Sequence, residues 1–271
     1  MRRLAVLLVG LTAGCAAAYP GRGLVLRVDP AASEVTVSHE AIAGYMDAMV
    51  MPFAVRDKRA LETLHPGDVI EFRLHPRRGG TVIDGLRHLS ATPTDEGLTL
   101  TPSRPTLIKV GEQVPDFTLT DQHGAAVSLS SLRGQVVAIT FIYSRCPLPD
   151  YCPRMVANLA EVKNRYRERL ARDLTLLTVT FDPKYDTPQV LRAFALRYGG
   201  NAPGWHFLTG APDAVAAVCA SFGIEYWPDQ GLITHTLQTA VIDREGRLRA
   251  SVEGRGFTGR QIADLVGTIL E

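Results

Sequence analysis

The run QVVAITFIY, residues 135–143, is apolar along nearly its whole length, and two cysteines and a proline follow it at positions 146, 152 and 153. A strand that is apolar on both faces belongs in the middle of a sheet covered on both sides. The chain around it must therefore supply helices as well as strands. PRMVANLAEVKNRYRERLARD (153–173) has helical periodicity and opens with proline, which suits a first helical turn. LTLLTVTFD (174–182) reads as a second buried strand. In TPQVLRAFALRYGG, Thr187 is placed to cap a helix that starts at Pro188 and stops at the glycines.

The remaining segments complete an alternating order. FTLTD, QHG and AVSL form a leading hairpin, PDAVAAVCASFG reads as a helix, and TAVIDREGRLRASVEG is a hairpin around Glu245–Gly246. TGRQIADLVGTILE closes as a helix with a Thr258/Gln261 capping box. The order β-α-β-α-(α)-β-β-α over residues 108–271 fits an α/β thioredoxin-like fold. Residues 21–93 differ. GLVLRVD, SEVTVSH, MPFAV, DVIEFRLH and TVIDGLRHLSA are short, evenly spaced strand-like runs, the pattern of a small all-β barrel. Between the blocks, residues 94–107 are predicted to be a linker in a loop-like stretch with prolines at 93, 102, 105 and 115.

MRRLAVLLVGLTAGC pairs two arginines with an apolar stretch and small residues before Cys15, the arrangement of a secretory signal peptide over residues 1–18. Its ending, LTAGC, resembles a bacterial lipobox. That implies lipidation of Cys15 and an anchored protein in the periplasm; cleavage near Ala16–Ala18 would instead leave it soluble and exported. No later run is apolar enough to span a membrane, and a formal net charge of +1 gives no reason to expect nucleic acid as a partner.

In an oxidising compartment, neighbouring cysteines such as Cys146 and Cys152 would normally form a disulfide. Cys152 lies near the start of the predicted helix, where the helix dipole is expected to favour its thiolate. Cys219 reads as a small buried apolar residue. A disulfide that merely staples a loop is the alternative for the pair, but their place beyond a buried strand puts them at the functional edge of the sheet.

GEQVPDFTLTDQHG, SRCP…CPRM, TVTFDPKYDTP and THTLQTAVIDREGRL occur in order through residues 108–271, and this block resembles the Sco/SenC family of copper proteins. The resemblance implies copper ligation by Cys146, Cys152 and His235, with Asp182 near the site. It also implies delivery of copper to the CuA centre of cytochrome c oxidase, in subunit II, and a thiol reductant that keeps the cysteines reduced. Two thiolates and an imidazole are a soft three-ligand set suited to copper, whereas structural zinc would normally take a fourth ligand. His235 is expected in a loop just before a strand. Here five residues, Pro147–Tyr151, separate the cysteines where the family has three; a loop of this length still allows the sulfurs to meet.

Three of the five methionines, Met46, Met49 and Met51, fall in SHEAIAGYMDAMVMPF shortly after His39. A methionine-rich core or partner surface is the plain alternative. Yet Met49 and Met51 share a strand face, and thioethers bind Cu(I) or Ag(I) without losing a proton. This block resembles the CusF-type copper/silver-binding domain, a five-stranded OB-like barrel. The match makes His39, Met49 and Met51 ligands. The block has no tryptophan to cover the metal; Tyr45 or Met46 falls near that position, and Met46 is a candidate third thioether. The remaining histidines, His65, His75, His88, His123 and His206, are expected to be ordinary hydrogen-bonded residues.

These readings predict a periplasmic copper metallochaperone holding Cu(I), with Cu(II) an option at the cysteine site, and a relay from barrel to thiolates. The alternatives are a thiol–disulfide oxidoreductase acting through Cys146 and Cys152, or a copper/silver tolerance protein. A peroxiredoxin is disfavoured, since Ser144–Cys146 lacks the fuller peroxidatic motif.

Overall fold

The computed structural model describes residues 18–77, 80–89, 107–229 and 232–271. The predicted signal peptide up to residue 17, Cys15 included, and nearly all of the predicted linker lie outside them.

Five strands close the N-terminal barrel: β1 (Tyr19–Asp29), β2 (Glu34–His39), β3 (Val50–Val55), β4 (Val69–Arg77) and β5 (Gly80–His88). Their order around the barrel is β1-β2-β3-β5-β4, with β4 returning to β1. Only the β3–β5 pairing is parallel; closure leaves no free sheet edge. Val25, Val35, Val37, Phe53, Ile70, Phe72, Leu74 and Ile83 fill the interior. Alternation sets this pattern, because side chains two apart along a strand share a face.

A short hairpin, β6 (Thr118–Thr120) and β7 (Ala126–Ser128), leads into the second unit. Its main sheet has the order β10-β9-β8-β13-β14. The strands are β8 (Val136–Ile142), β9 (Leu174–Thr180), β10 (Trp205–Leu208), β13 (Gln238–Ile242) and β14 (Leu248–Glu253). The first three are mutually parallel and the last two antiparallel to their neighbours. Every residue of β8 and β9 is buried, as expected of central strands covered on both faces. The helices are α1 (Cys152–Arg165), α2 (Pro188–Leu196), α3 (Pro212–Ser221) and α4 (Gly259–Leu270).

Local chemistry fixes these helix ends. Thr187 accepts a hydrogen bond from the Val190 N–H, and Thr258 and Gln261 form the reciprocal box at the start of α4. α1 is shorter than its periodicity predicts. It stops at Arg165, passes through a tight turn at Arg167–Arg169 and turns at Ala171, whose φ is 61°, because the chain must reverse to enter β9 at Leu174.

Two features were not expected from the sequence. One is the edge strand β10. The other is a separate hairpin, β11 (Tyr226–Asp229) with β12 (Leu232–His235). His235 is thus the last residue of a strand rather than part of a loop.

The barrel is not a separate bead. Leu24, Leu26 and Val69 belong to the same buried core as the α/β sheet. Gly67, in the turn before β4, approaches β14 so closely that a Cβ would lie 2.7 Å from the Ser251 carbonyl oxygen.

Candidate metal centres

The first centre lies where β8 hands over to α1. Cys146 follows the strand and Cys152 is the first residue of the helix. Residues 147–150 between them are exposed and bulge into solvent. The longer loop is thus accommodated outside the site. The Sγ atoms of Cys146 and Cys152 and a ring nitrogen of His235 all lie within 4.8 Å of one another, and both cysteines are free thiols. Ligands about 2.0–2.3 Å from a shared ion in a trigonal array stand roughly 3.5–4 Å apart. The three groups therefore need little movement to converge.

His235 is oriented for this. Its Nδ1 lies 2.8 Å from the Thr236 carbonyl, which can only accept, so Nδ1 carries the proton. The lone pair is left on Nε2, 3.4 Å from Cys152 Sγ. Phe181 walls the ring at 4.6 Å between centroids, with Tyr143 at 5.8 Å and Tyr151 at 6.5 Å presenting edges.

The two thiols are unequal, in the opposite sense to the helix-dipole expectation. Hydrogen bonding from Cys152 is the largest cause that holds the Cys146 thiol down, to about 4, against the opposing effect of burial. Complete burial pushes Cys152 well up, its neighbour Cys146 adding to the shift. Desolvation outweighs the helix N-terminus at Cys152. Cys219, in α3, is buried and its thiol is pushed up to about 12, which makes it inert.

Asp182, singled out by the sequence motif, pairs with Arg145 at 2.6 Å. Sequence reasoning missed Asp186, four residues on. It is fully buried and accepts from the Ser144 N–H at 3.0 Å, the Ser144 hydroxyl and the Thr180 hydroxyl at 2.5 Å. It ties the start of the cysteine loop to the end of β9. Burial raises its carboxyl above the usual range. The signal was present in DPKYDTP, but nothing in one sequence distinguishes the two aspartates.

The second centre is at one end of the barrel. Val37 pairs with Met51 and Val35 with Phe53, and the His39 N–H donates to the Met49 carbonyl at 3.0 Å. By alternation, His39, Met49 and Met51 share the face of buried Val35, Val37 and Phe53. His39 is completely buried, and its Nδ1 lies 2.7 Å from the Glu40 carbonyl. Its Nε2 is buried and has no hydrogen-bond partner. A buried acceptor left unpaired is costly, and a soft metal ion would satisfy it. Met51 and Met46 pack partly buried against the barrel core, and Met46 is bridged to Ile42. Met49 is more open, with 44% of its surface exposed. Tyr45 stacks on Tyr19 at 4.8 Å.

Four of the other five histidines face carboxylates: His75 with Asp84, His206 with Asp121, and His65 and His88 with Asp68. Among the described residues, Cys146, Cys152 and His235 are the group of His, Cys, Asp or Glu side chains close enough to share an ion.

Residues 107–271 match the family model described as SCO1/SenC. The chain belongs to the SCO1/SenC family. Residues 18–88 match a second model, that of the copper binding periplasmic protein CusF, so this Sco protein carries an N-terminal CusF-like domain. It is 34% identical over 98 residues to the SCO1 protein homolog of Bacillus subtilis, a match covering 36% of this chain and 49% of that one. The chain thus spans about half the length of that relative. It is 30% identical over 147 residues to a SCO2-like protein of Rickettsia typhi, covering 52% and 68% of the two chains. The copper-bound structure of Bradyrhizobium japonicum ScoI is similar over 58% of this chain and 99% of its own, with 26% identity and a TM-score of 0.50. A structure of BsSco, described with a disulfide switch and as a member of the Sco family of cytochrome c oxidase assembly proteins, matches at 25% identity and a TM-score of 0.51, over 60% and 96% of the two chains.

Proposed function

We propose that this Sco protein is a copper metallochaperone that holds Cu(I) between Cys146, Cys152 and His235 and delivers it to an acceptor, the CuA centre in subunit II of cytochrome c oxidase. The observation that carries this reading is the convergence of two thiols and an oriented imidazole within 4.8 Å, inside the stretch that matches the SCO1/SenC family. Copper is the cargo. Cys146 offers a thiolate at neutral pH, Cys152 gives up its proton on binding, and Nε2 of His235 supplies a neutral donor.

His39, Met49 and Met51, with Met46 at the same barrel end, form a second soft site that needs no deprotonation. The barrel site would capture Cu(I) and pass it to the site at Cys146, Cys152 and His235. The N-terminal sequence supports export and anchoring through Cys15. Among the described residues no helix is long and apolar enough to cross a membrane.

An anaerobic Cu(I) titration against a chromophoric competitor tests the proposal. Two tight equivalents are expected, one lost in Met49→Leu/Met51→Leu and the other in Cys146→Ser/Cys152→Ser. Absence of tight binding in the methionine variant would overturn the chaperone reading.

One observation favours a second reading, thiol–disulfide exchange. The structure pairs a low-pKa thiol with a buried one. Cys146 would attack an acceptor disulfide and expel one thiolate. Cys152 would then lose its proton, close the Cys146–Cys152 disulfide and expel the second. Two electrons reach the acceptor, and a thiol reductant must reset the pair.

A further inference from the structure

The two metal centres flank one short stretch of chain. On the barrel side, Arg260 in the first turn of α4 donates from Nη2 to the His39 carbonyl at 2.9 Å, and from Nη1 to Ser38 Oγ at 3.2 Å and Asp264 at 3.0 Å. Ser38 Oγ donates to Asp264 at 2.6 Å, and Gln261 Nε2 donates to the Ser38 carbonyl at 2.8 Å. Arg22 of β1 donates to the Gly256 carbonyl at 2.9 Å and faces Glu40 at 3.8 Å. On the cysteine side, Arg154 in the first turn of α1 donates to the Phe257 carbonyl at 3.0 Å. Arg255 stacks over the Tyr151 ring at 5.0 Å, and Tyr151 is the residue before Cys152 and an edge contact of His235.

Residues 255–260 are therefore in direct contact with the chain at His39 and with the chain at Cys152. The Arg260–Ser38–Asp264 cluster is largely buried, with the Asp264 side chain only 5% exposed, so its geometry is fixed by packing. It lies alongside the shared apolar core of Leu24, Leu26 and Val69. A metal taken up at His39 Nε2 would act on the end of β2, and Arg260 is bonded to that residue's carbonyl.

We propose that segment 255–260 couples the two copper sites, so that filling the barrel changes the copper affinity of the cysteine–histidine site, and the reverse. The inference rests on the copper reading of both sites. It gives the barrel a regulatory role. Arg255 and Arg260 are positioning residues, since neither touches metal. Coupling of this kind is reciprocal and typically about 5–150-fold in affinity.

The test uses the full mature chain. In Cys146→Ser/Cys152→Ser, only the barrel site can take Ag(I), and backbone amide NMR shifts are followed as Ag(I) is added. Shifts are expected at residues 255–260 and at Tyr151 and His235 as well as around His39. In the added Arg255→Ala background, an exposed position, the shifts at Tyr151 and His235 are expected to shrink, with the Arg154–Phe257 link left in place, while those around His39 persist. The second readout is the Cu(I) affinity of the barrel with the thiolates filled, in the parent protein, against that in the serine variant. A difference of about 5-fold or more is expected, and it should be smaller in Arg255→Ala. Ag(I) binding with shifts confined to the barrel, or equal barrel affinities, overturns the coupling alone. No Ag(I) binding at the barrel overturns the copper reading of that domain and the coupling with it.

Discussion

Cys152 Sγ lies 3.4 Å from His235 Nε2, a contact that joins the start of α1 to the end of β12. Because the Thr236 carbonyl fixes the proton on Nδ1, the imidazole presents a lone pair to the thiols. A copper carrier needs that donor, whereas a simple dithiol reductase does not. His235→Ala is therefore expected to lower Cu(I) affinity of the cysteine site by at least about 100-fold, since losing even a group that only supports a ligand costs about 10–100-fold. Disulfide formation between Cys146 and Cys152 should persist. Competitor titration and thiol counting check the two halves; unchanged affinity would remove His235 from the ligand set.

The unequal thiols set a pH dependence. Cys146 is held down to about 4 in the folded protein, chiefly by the hydrogen bond from Cys152. Its thiolate is therefore present above that value, and the stabilisation linked to it is full above the ordinary thiol value of 9.0 and is lost progressively as pH falls to about 4. Alkylation of reduced, metal-free protein by iodoacetamide should be fast at one residue and nearly flat from pH 6 to 8. In Cys152→Ala, which removes the donor, the rate should instead rise across that range. Flat profiles in both would show that Cys152 is not the cause.

Much of this was legible because local patterns carried it. The apolar runs of β8 and β9 could only be central strands, and Pro153, Thr187 and Thr258 marked helix starts that the backbone obeys. The cysteine–histidine group was legible through spaced motifs. The hairpin carrying His235 was not, because β11 and β12 are four residues each and neither alternates clearly. The order of thiol acidity was hidden too. It depends on burial of Cys152 by residues distant in sequence, which a helix-position argument does not see. The docking of barrel on α4 rests on Ser38, Arg22 and Arg260, ordinary polar residues whose partners lie more than 200 positions away.

Asp186 anchors the cysteine loop from below. Replacing it with alanine leaves the Ser144 N–H, the Ser144 hydroxyl and the Thr180 hydroxyl without their acceptor. Each buried donor left unpaired costs about 1–3 kcal/mol, so Asp186→Ala should destabilise the domain by roughly 2–4 kcal/mol in urea unfolding. Its carboxyl is raised by burial, so Asp186→Asn should be milder. The asparagine variant should still weaken copper binding about 10-fold, because it loosens the residue two before Cys146. Wild-type affinity in that variant would show that the loop holds its shape without the carboxylate.

His39 offers the sharpest contrast between structural and metal-binding roles. Its ring is fully buried and its Nε2 has no partner, so the metal-free barrel gains little from that nitrogen. Replacement by leucine removes an unpaired polar atom and gives up the Nδ1 contact to Glu40. The two effects oppose each other, and the metal-free stability should change by less than about 1.5 kcal/mol. The metal-bound state differs. In the Cys146→Ser/Cys152→Ser background, Ag(I) at about 100 times its dissociation constant should stabilise the folded chain by about 2.7 kcal/mol. His39→Leu should abolish that gain while leaving the urea midpoint without silver nearly unchanged. A large loss of stability without silver would assign the histidine to the core, and a preserved silver effect would assign binding to the methionines alone.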